Sequence, residues 1–337
     1  MRVKNFKHAY HGVKYAILHE HNMKIHLIAA ALARTTKRAK IAVLGRALPL
    51  VANPVNIAEE FAMLDQMSGG RLIAGFVRGI GSEYFASAVN PTYSHERFYE
   101  AHDLILQAWT REGPFRFHGK HYQFDYVNLW PRPVQAPHPP VWIPSQGSKE
   151  TIVWAAAPER KYTYLQTFSP YPLALKAFTA YREEAQKNGY EAQPSQLGWA
   201  VPTYVAETDE IARRELKDHI EVFFNKFLRF PSIEMRLPPG YSSIASTKTL
   251  MELKFKNRTS STIDTLIDNG MILVGSPETV RQRIEHCQKE MGFGHLMAML
   301  QIATMPADMT ERNIRLFASE VMPHLQGAAR PQLRAIA

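Results

Sequence analysis

A single cysteine in 337 residues, Cys287 in "RIEHCQKE", leaves no partner for an internal disulfide and no set of thiols for a zinc cluster. The stretch around it reads as helix, with no catalytic role for the thiol. Long apolar runs are also missing. Charge interrupts each within about a dozen residues, short of the roughly 20 that a membrane-spanning helix needs. The opening residues show no leader-like succession of charged, apolar and small residues, so a cytoplasmic protein without membrane contact is expected. Charge of one sign is not concentrated either. The net charge is +9, from 40 basic and 31 acidic residues, but the charges are scattered. The densest stretch, "RTTKRAK" (34–40), reads as a solvated helix end. This argues against nucleic acid as a partner and leaves anionic small ligands, such as phosphorylated cofactors, open. The dinucleotide fingerprint G-x-G-x-x-G does not follow the first strand, which removes a Rossmann reading.

What is present is alternation. Apolar residues make up 45% of the chain, enough for a substantial core. Short apolar runs read as strands: "VKYAIL" (13–18), "AKIAVL" (39–44), "RLIAGFV" (71–77), "PVWIP" (140–144), "YTYLQ" (162–166), "AVPTYVA" (200–206) and "HLMAMLQ" (295–301). Helical patterns lie between them. In "NPVNIAEEFAMLDQMSGG", Ile57, Phe61 and Leu64 recur at three-and-four spacing, and Gly69–Gly70 end the helix. In "SHERFYEAHDLILQAW", Ser94 and Arg97 frame the start; Phe98, Ala101, Leu104, Ile105 and Ala108 form the apolar stripe. Strand–helix repetition over this length predicts an α/β fold of the TIM (β/α)8 type, as a single domain over 1–337. Two stretches break the pattern. The proline- and aromatic-rich 113–140 is expected to run extended over the barrel. The segment 224–261 is expected to interrupt the last part of the barrel as a mobile cover.

In a parallel barrel the ligand site gathers at the carboxyl ends of the strands. Those ends carry "HEHN" (19–22), "GRALP" (45–49), "RGIGSEY" (78–84), "SQGSKET" (145–151), "QTFSP" (166–170), "ETDE" (207–210) and "QIAT" (301–304). "HEH" raises a metal-dependent hydrolase. The later ends, however, offer Gln146, Gln166 and Gln301 rather than further histidines and an aspartate, and amides are poor zinc ligands. No pair of carboxylates converges for acid–base hydrolysis. A polar site poor in reactive groups of its own points to a bound cofactor as the source of the chemistry. In "PSQGSKET", Ser148 and Thr151 sit at a helix start beside Glu150; they form either a phosphate cradle or an ordinary N-cap. Arg78, flanked by glycines at a strand exit, is matched to the same phosphate, with a salt bridge to Glu83 as the alternative. Gly79 and Gly81 would let the backbone approach the cofactor closely.

Taken in order, "EHN", "NPVNIAEEFAMLDQMSGGRLIAGFVRGIGSEYF", "SHERFYEAHDLILQAWT", "PVWIPSQGSKETIVWAA" and "ILVGSPETVRQRIEHCQKEMGFGHLMAMLQ" resemble the luciferase-like, flavin-dependent monooxygenases. The resemblance runs from Gly12 to Leu325. It implies a TIM barrel that binds reduced FMN, or coenzyme F420 in some branches. In the FMN branch it implies a flavin C4a-hydroperoxide, formed with O2, that oxygenates an organic substrate. It matches His21 to the active-site histidine and Arg78 and Ile80 to residues at the flavin phosphate and ring. Gly147, Ser148 and Thr151 match the phosphate-contacting turn, and Gly79 follows the arginine. Gly45–Arg46 falls where the family often has a non-prolyl cis peptide under the ring. No metal site is implied. The family's first strand and helix have no counterpart before "VKYAIL", and its second histidine is Asn22 here. The expected partners are a separate flavin reductase supplying reduced FMN, a small hydrophobic substrate and a second copy of the chain. An F420-dependent oxidoreductase and a non-catalytic flavin-binding subunit are the alternatives. Met63, Phe85, Trp142 and Met299 are candidates for an apolar lining.

Overall fold

A computed structural model describes residues 15–19, 25–229, 232–244, 247 and 261–325. Contacts divide the chain into two compact units.

The first unit comprises residues 15–19 and 25–144 together with 232–244 and 247. Its strands are β1 (Tyr15–His19), β2 (Lys40–Ala47), β3 (Leu72–Val77) and β6 (Val141–Ser145, whose last residue belongs to the other unit). They pair in parallel in that order, with Ile17 opposite Ala42, Val43 opposite Ala74 and Ala74 opposite Val141. The helices α1 (Ile25–Thr35), α2 (Pro54–Ser68), α3 (Gly81–Ala86) and α4 (Ser94–Thr110) supply the crossovers, which parallel pairing requires.

Local chemistry sets the ends of α2. The Asn53 side chain accepts the Val55 N–H, Pro54 occupies the first turn, and Gly69 stops the helix at φ 65°. The stripe expected on α2 is buried, as is the one on α4. Phe61, Phe76 and Trp109 meet in the core with ring centroids 5.5 and 6.0 Å apart along the chain of contacts. Arg97 donates to the carbonyls of Pro49 and Val51, tying the start of α4 to the turn after β2.

The stretch 113–140 is not simply extended. It contains an antiparallel hairpin, β4 (Phe115–His118) with β5 (Gln123–Val127). Its proline-rich remainder is pinned to α2. The fully buried Asp65 carboxylate accepts the N–H groups of Val134 and Gln135 at 2.8 and 2.9 Å and the Gln135 amide at 2.7 Å.

The second unit comprises residues 145–229 and 261–325. Here β7 (Thr163–Thr167), β8 (Leu197–Val205) and β10 (His295–Met299) pair in parallel with β8 central. A three-residue strand, β9 (Leu273–Gly275), pairs with the far end of β8. The helices are α5 (Lys149–Ala155), α6 (Tyr171–Lys187), α7 (Asp209–Val222), α8 (Ile263–Asp268), α9 (Pro277–Met291) and α10 (Ala307–Leu316). Tyr204, Leu216, Ile220, Ile267 and Ile272 form a core cluster against which Met299 packs. The buried Asn313 braces it, accepting the Val205 N–H and donating to the carbonyls of Thr203 and Leu300. Cys287 lies buried on α9. No helix among the described residues is long and apolar enough to cross a membrane.

Candidate functional site

Strand β3 ends at Val77 and hands Arg78 to the turn before α3. The guanidinium is half-buried and has found protein partners. Its Nη1 donates to Ser94 Oγ at 3.0 Å and to the Tyr241 carbonyl, and its Cζ stands 3.8 Å from the centre of the Tyr241 ring. The Glu83 carboxylate accepts the Ile80 N–H at 2.6 Å. Tyr84 donates its phenol to the Arg78 carbonyl, and Tyr241 donates to the Gly79 carbonyl. Burial, the largest cause, pushes both phenols above the ordinary tyrosine value, while Arg78 pulls the other way. Both therefore remain protonated donors at neutral pH.

Gly79, at φ +87°, occupies a conformation that side chains rarely adopt. Gly81 serves a different end from the one its motif suggests. A Cβ there would lie 2.5 Å from the carbonyl oxygens of Met235 and Arg236 and from Pro238 Cδ. Its missing side chain admits the segment 232–244. Of the expected cover 224–261, residues 224–229, 232–244, 247 and 261 are described, while 230–231, 245–246 and 248–260 lie outside the described residues. Its first residues differ from the expectation: Phe223–Phe227 continue helix α7 of the second unit as a turn of π-helix.

On β2, Gly45 takes φ +118° at a register shift between Leu44 and Arg46. The bulge turns Arg46 onto α2, where Nη2 meets Glu60 at 3.2 Å, with His26 Nδ1 at 3.9 Å from the same carboxylate. The cis peptide expected here is not found. The three cis bonds of the described residues all precede proline, and the change of chain direction is made instead by the positive φ of Gly45.

In the second unit, Gly147 (φ +96°) leads into α5. An added Cβ at Gly147 would find open space, with Gln166 Nε2 the nearest atom at 4.0 Å. Ser148 caps the helix toward the Thr151 N–H and donates its hydroxyl to Glu150 at 2.8 Å. Behind this turn runs a buried polar chain. Tyr164 donates to Gln166, Gln166 to Ser169 Oγ, and Ser169 to the Thr167 carbonyl. Burial raises the Tyr164 phenol well above its usual value.

Both donor sets suit an anionic oxygen, because each already holds one: Glu83 on the Ile80 N–H and Glu150 on the Ser148 hydroxyl. Taken unit by unit, each is a kind of donor set that fits a phosphate oxygen. His21 lies outside the described residues, as does Asn22. Of the lining candidates, Met63 and Phe85 are more than half exposed and Trp142 is buried in β6. Sequence reasoning missed Tyr241 altogether and read Ser94 only as a helix start. The one signal for Tyr241 was a turn, "PPGY", and no local pattern ties it to an arginine 163 residues away.

A family model described as luciferase-like monooxygenase matches residues 8–295. An FMNH2-dependent dimethylsulfone monooxygenase of Pseudomonas putida is 31% identical over 119 residues, 34% of this chain and 32% of that protein. Two solved structures share the fold. One is the oxygenating constituent of 3,6-diketocamphane monooxygenase from the CAM plasmid of Pseudomonas putida, in complex with FMN. It is 21% identical at TM-score 0.75, over 95% of this chain and 91% of that one. The other is the coenzyme F420-dependent tetrahydromethanopterin reductase of Methanopyrus kandleri, 20% identical at TM-score 0.68 over 96% and 94%. The fold is accordingly α/β of the TIM-barrel type.

Proposed function

From membership of the luciferase-like monooxygenase family, to which this chain belongs, we propose that this oxidoreductase uses reduced FMN and O2 to oxygenate a small hydrophobic organic molecule. The observation that carries the cofactor part of this reading is Arg78. It is a half-buried cation at a strand exit, held by neutral partners, and the sequence resemblance matches it to the arginine at the family's flavin phosphate. Gly79 and Ile80 follow it in the same turn; Gly45 and Arg46 lie on the neighbouring strand β2. Gly147, Ser148 and Thr151 are the proposed residues of the second donor set. When bound, reduced FMN supplies the electrons that activate O2. The chain's own part is to bind the phosphate, exclude water and, through His21, move a proton. A separate reductase supplies the reduced flavin, and exposed Leu27, Met63 and Met67 on the adjacent helices α1 and α2 offer apolar surface to a second copy.

The test is direct titration with FMN, reduced FMN and F420. FMN should bind, and Arg78→Ala should weaken it more than Ser148→Ala, since a charge-assisted contact is roughly twice as strong as a neutral one. Unchanged affinity in Arg78→Ala removes the phosphate assignment. In turnover, His21→Ala should release more hydrogen peroxide per reduced flavin; normal coupling removes its proton role. The second reading, an F420-dependent oxidoreductase, draws on the fold likeness to the Methanopyrus kandleri reductase. A preference for F420 in the titration would select it.

A further inference from the structure

We propose that Tyr241, together with Ser94, is a positioning residue that sets the Arg78 guanidinium for bidentate binding of the cofactor phosphate; this rests on the reading that Arg78 takes that phosphate. An arginine side chain has many rotamers, and a ligand that must order them loses affinity. Here the ordering is done in advance. Nη1 is committed to two acceptors, Ser94 Oγ and the Tyr241 carbonyl. One face of the plane lies against the Tyr241 ring, 3.8 Å from Cζ to its centre. A planar group held by one nitrogen and one face has little freedom left to turn. Among the described residues no acceptor takes Nε or Nη2. These two donors form the edge that matches two phosphate oxygens.

Tyr241 is itself fixed, which a positioning residue must be. It is 8% exposed. Its hydroxyl donates to the Gly79 carbonyl, and its ring meets Tyr84 edge-on at 5.6 Å and 68°. Tyr84 in turn donates to the Arg78 carbonyl, so the circuit closes on the arginine it serves. The chain on either side of the turn is seated too. Pro238 lies against Gly81, and Gly240, at φ +78°, packs so tightly on Thr92 that an added Cβ would lie 2.5 Å from Oγ1. A removable latch would have to break the ring stack, the aromatic pair and two hydrogen bonds at one time. These contacts seat residues 232–244 of the 224–261 excursion firmly beside Arg78.

The experiment compares FMN with riboflavin, which carries the same ring without the phosphate, by fluorescence titration of the full-length protein. The readout is the ratio of the two affinities, which a general loosening of the fold does not move. Tyr241→Leu should lower the FMN-to-riboflavin ratio by about tenfold, the size of a partly buried cation–π contact. Tyr241→Phe, which keeps the ring, should stay within about twofold of wild type, and Ser94→Ala should lower the ratio by about threefold. An unchanged ratio in folded Tyr241→Leu overturns the proposal. So does an equal fall for both ligands, which marks a structural role, or a gain in FMN affinity, which marks a latch. If Tyr241→Leu does not fold, Ser94→Ala decides: a ratio equal to wild type overturns the proposal. Wild-type protein that binds FMN no better than riboflavin removes the cofactor reading itself. An FMN preference that survives Tyr241→Leu removes only this inference.

Discussion

Gly81→Ala is the sharpest test of how the segment 232–244 is seated. The new methyl carbon would start 2.5 Å from two carbonyl oxygens and from Pro238 Cδ. Ordinary contact distances are roughly 1 Å longer, so something must move. The turn carrying residue 81 is braced from behind by the Glu83–Ile80 and Tyr84–Arg78 hydrogen bonds. The segment 232–244 should therefore yield. Overpacking of this kind costs about 1–3 kcal/mol. Charged to local opening of the segment, that raises the open fraction by roughly 5- to 150-fold. The assay is limited trypsin digestion followed by mass spectrometry of the Arg236–Leu237 cleavage product. Cleavage there should accelerate by that factor, while Ser82→Ala, the next residue along, stays at the wild-type rate. The far-ultraviolet circular dichroism should be unchanged, because the strands and long helices do not touch the new methyl. Cleavage at Arg236 within twofold of wild type would refute the reasoning, since the close approach at Gly81 would then carry no energy.

Asp65→Ala should destabilise the protein by about 3–5 kcal/mol, because one fully buried carboxylate collects three hydrogen bonds from residues 134 and 135, of whose donors only the Gln135 amide keeps a second acceptor, the Leu72 carbonyl. Urea unfolding measures this, and a loss under about 1 kcal/mol would contradict the assignment. Burial pushes the Cys287 thiol up to about 11. Its proton is held more tightly folded than unfolded, so the stability this neutral thiol contributes is lost as pH climbs from about 9 toward 11. At pH 8 iodoacetamide should modify the native protein on the order of a hundredfold more slowly than the urea-unfolded chain; equal rates would show the thiol to be exposed.

Seven strands announced themselves as short apolar runs, and each is present within a few residues of its expected bounds. Every residue of the sequence stripes on α2 and α4 is buried, because helical periodicity is a local property, but the buried faces are wider and take in Ala58, Ala62, Asp65 and Ser68 on α2 and His102 and Trp109 on α4. The three-residue β9 and the β4–β5 hairpin escaped notice: one is too short to show a period, and the other is buried in a stretch dominated by proline. Within the candidate site, the arginine, the glycines and the helix-capping serine were legible from the strand exits on which such residues stand. The close approach at Gly81 was not, and neither was the partner of Arg78. "RGIGSEY" reads as glycine kept for a ligand, yet the structure fills the space at Gly81 with backbone from residues 235 and 236. Only the folded chain could show Tyr241 over the guanidinium. A cation's partner is chosen by which acceptors tertiary packing brings within about 3–4 Å of it, and a sequence separation of 163 residues carries no trace of that distance.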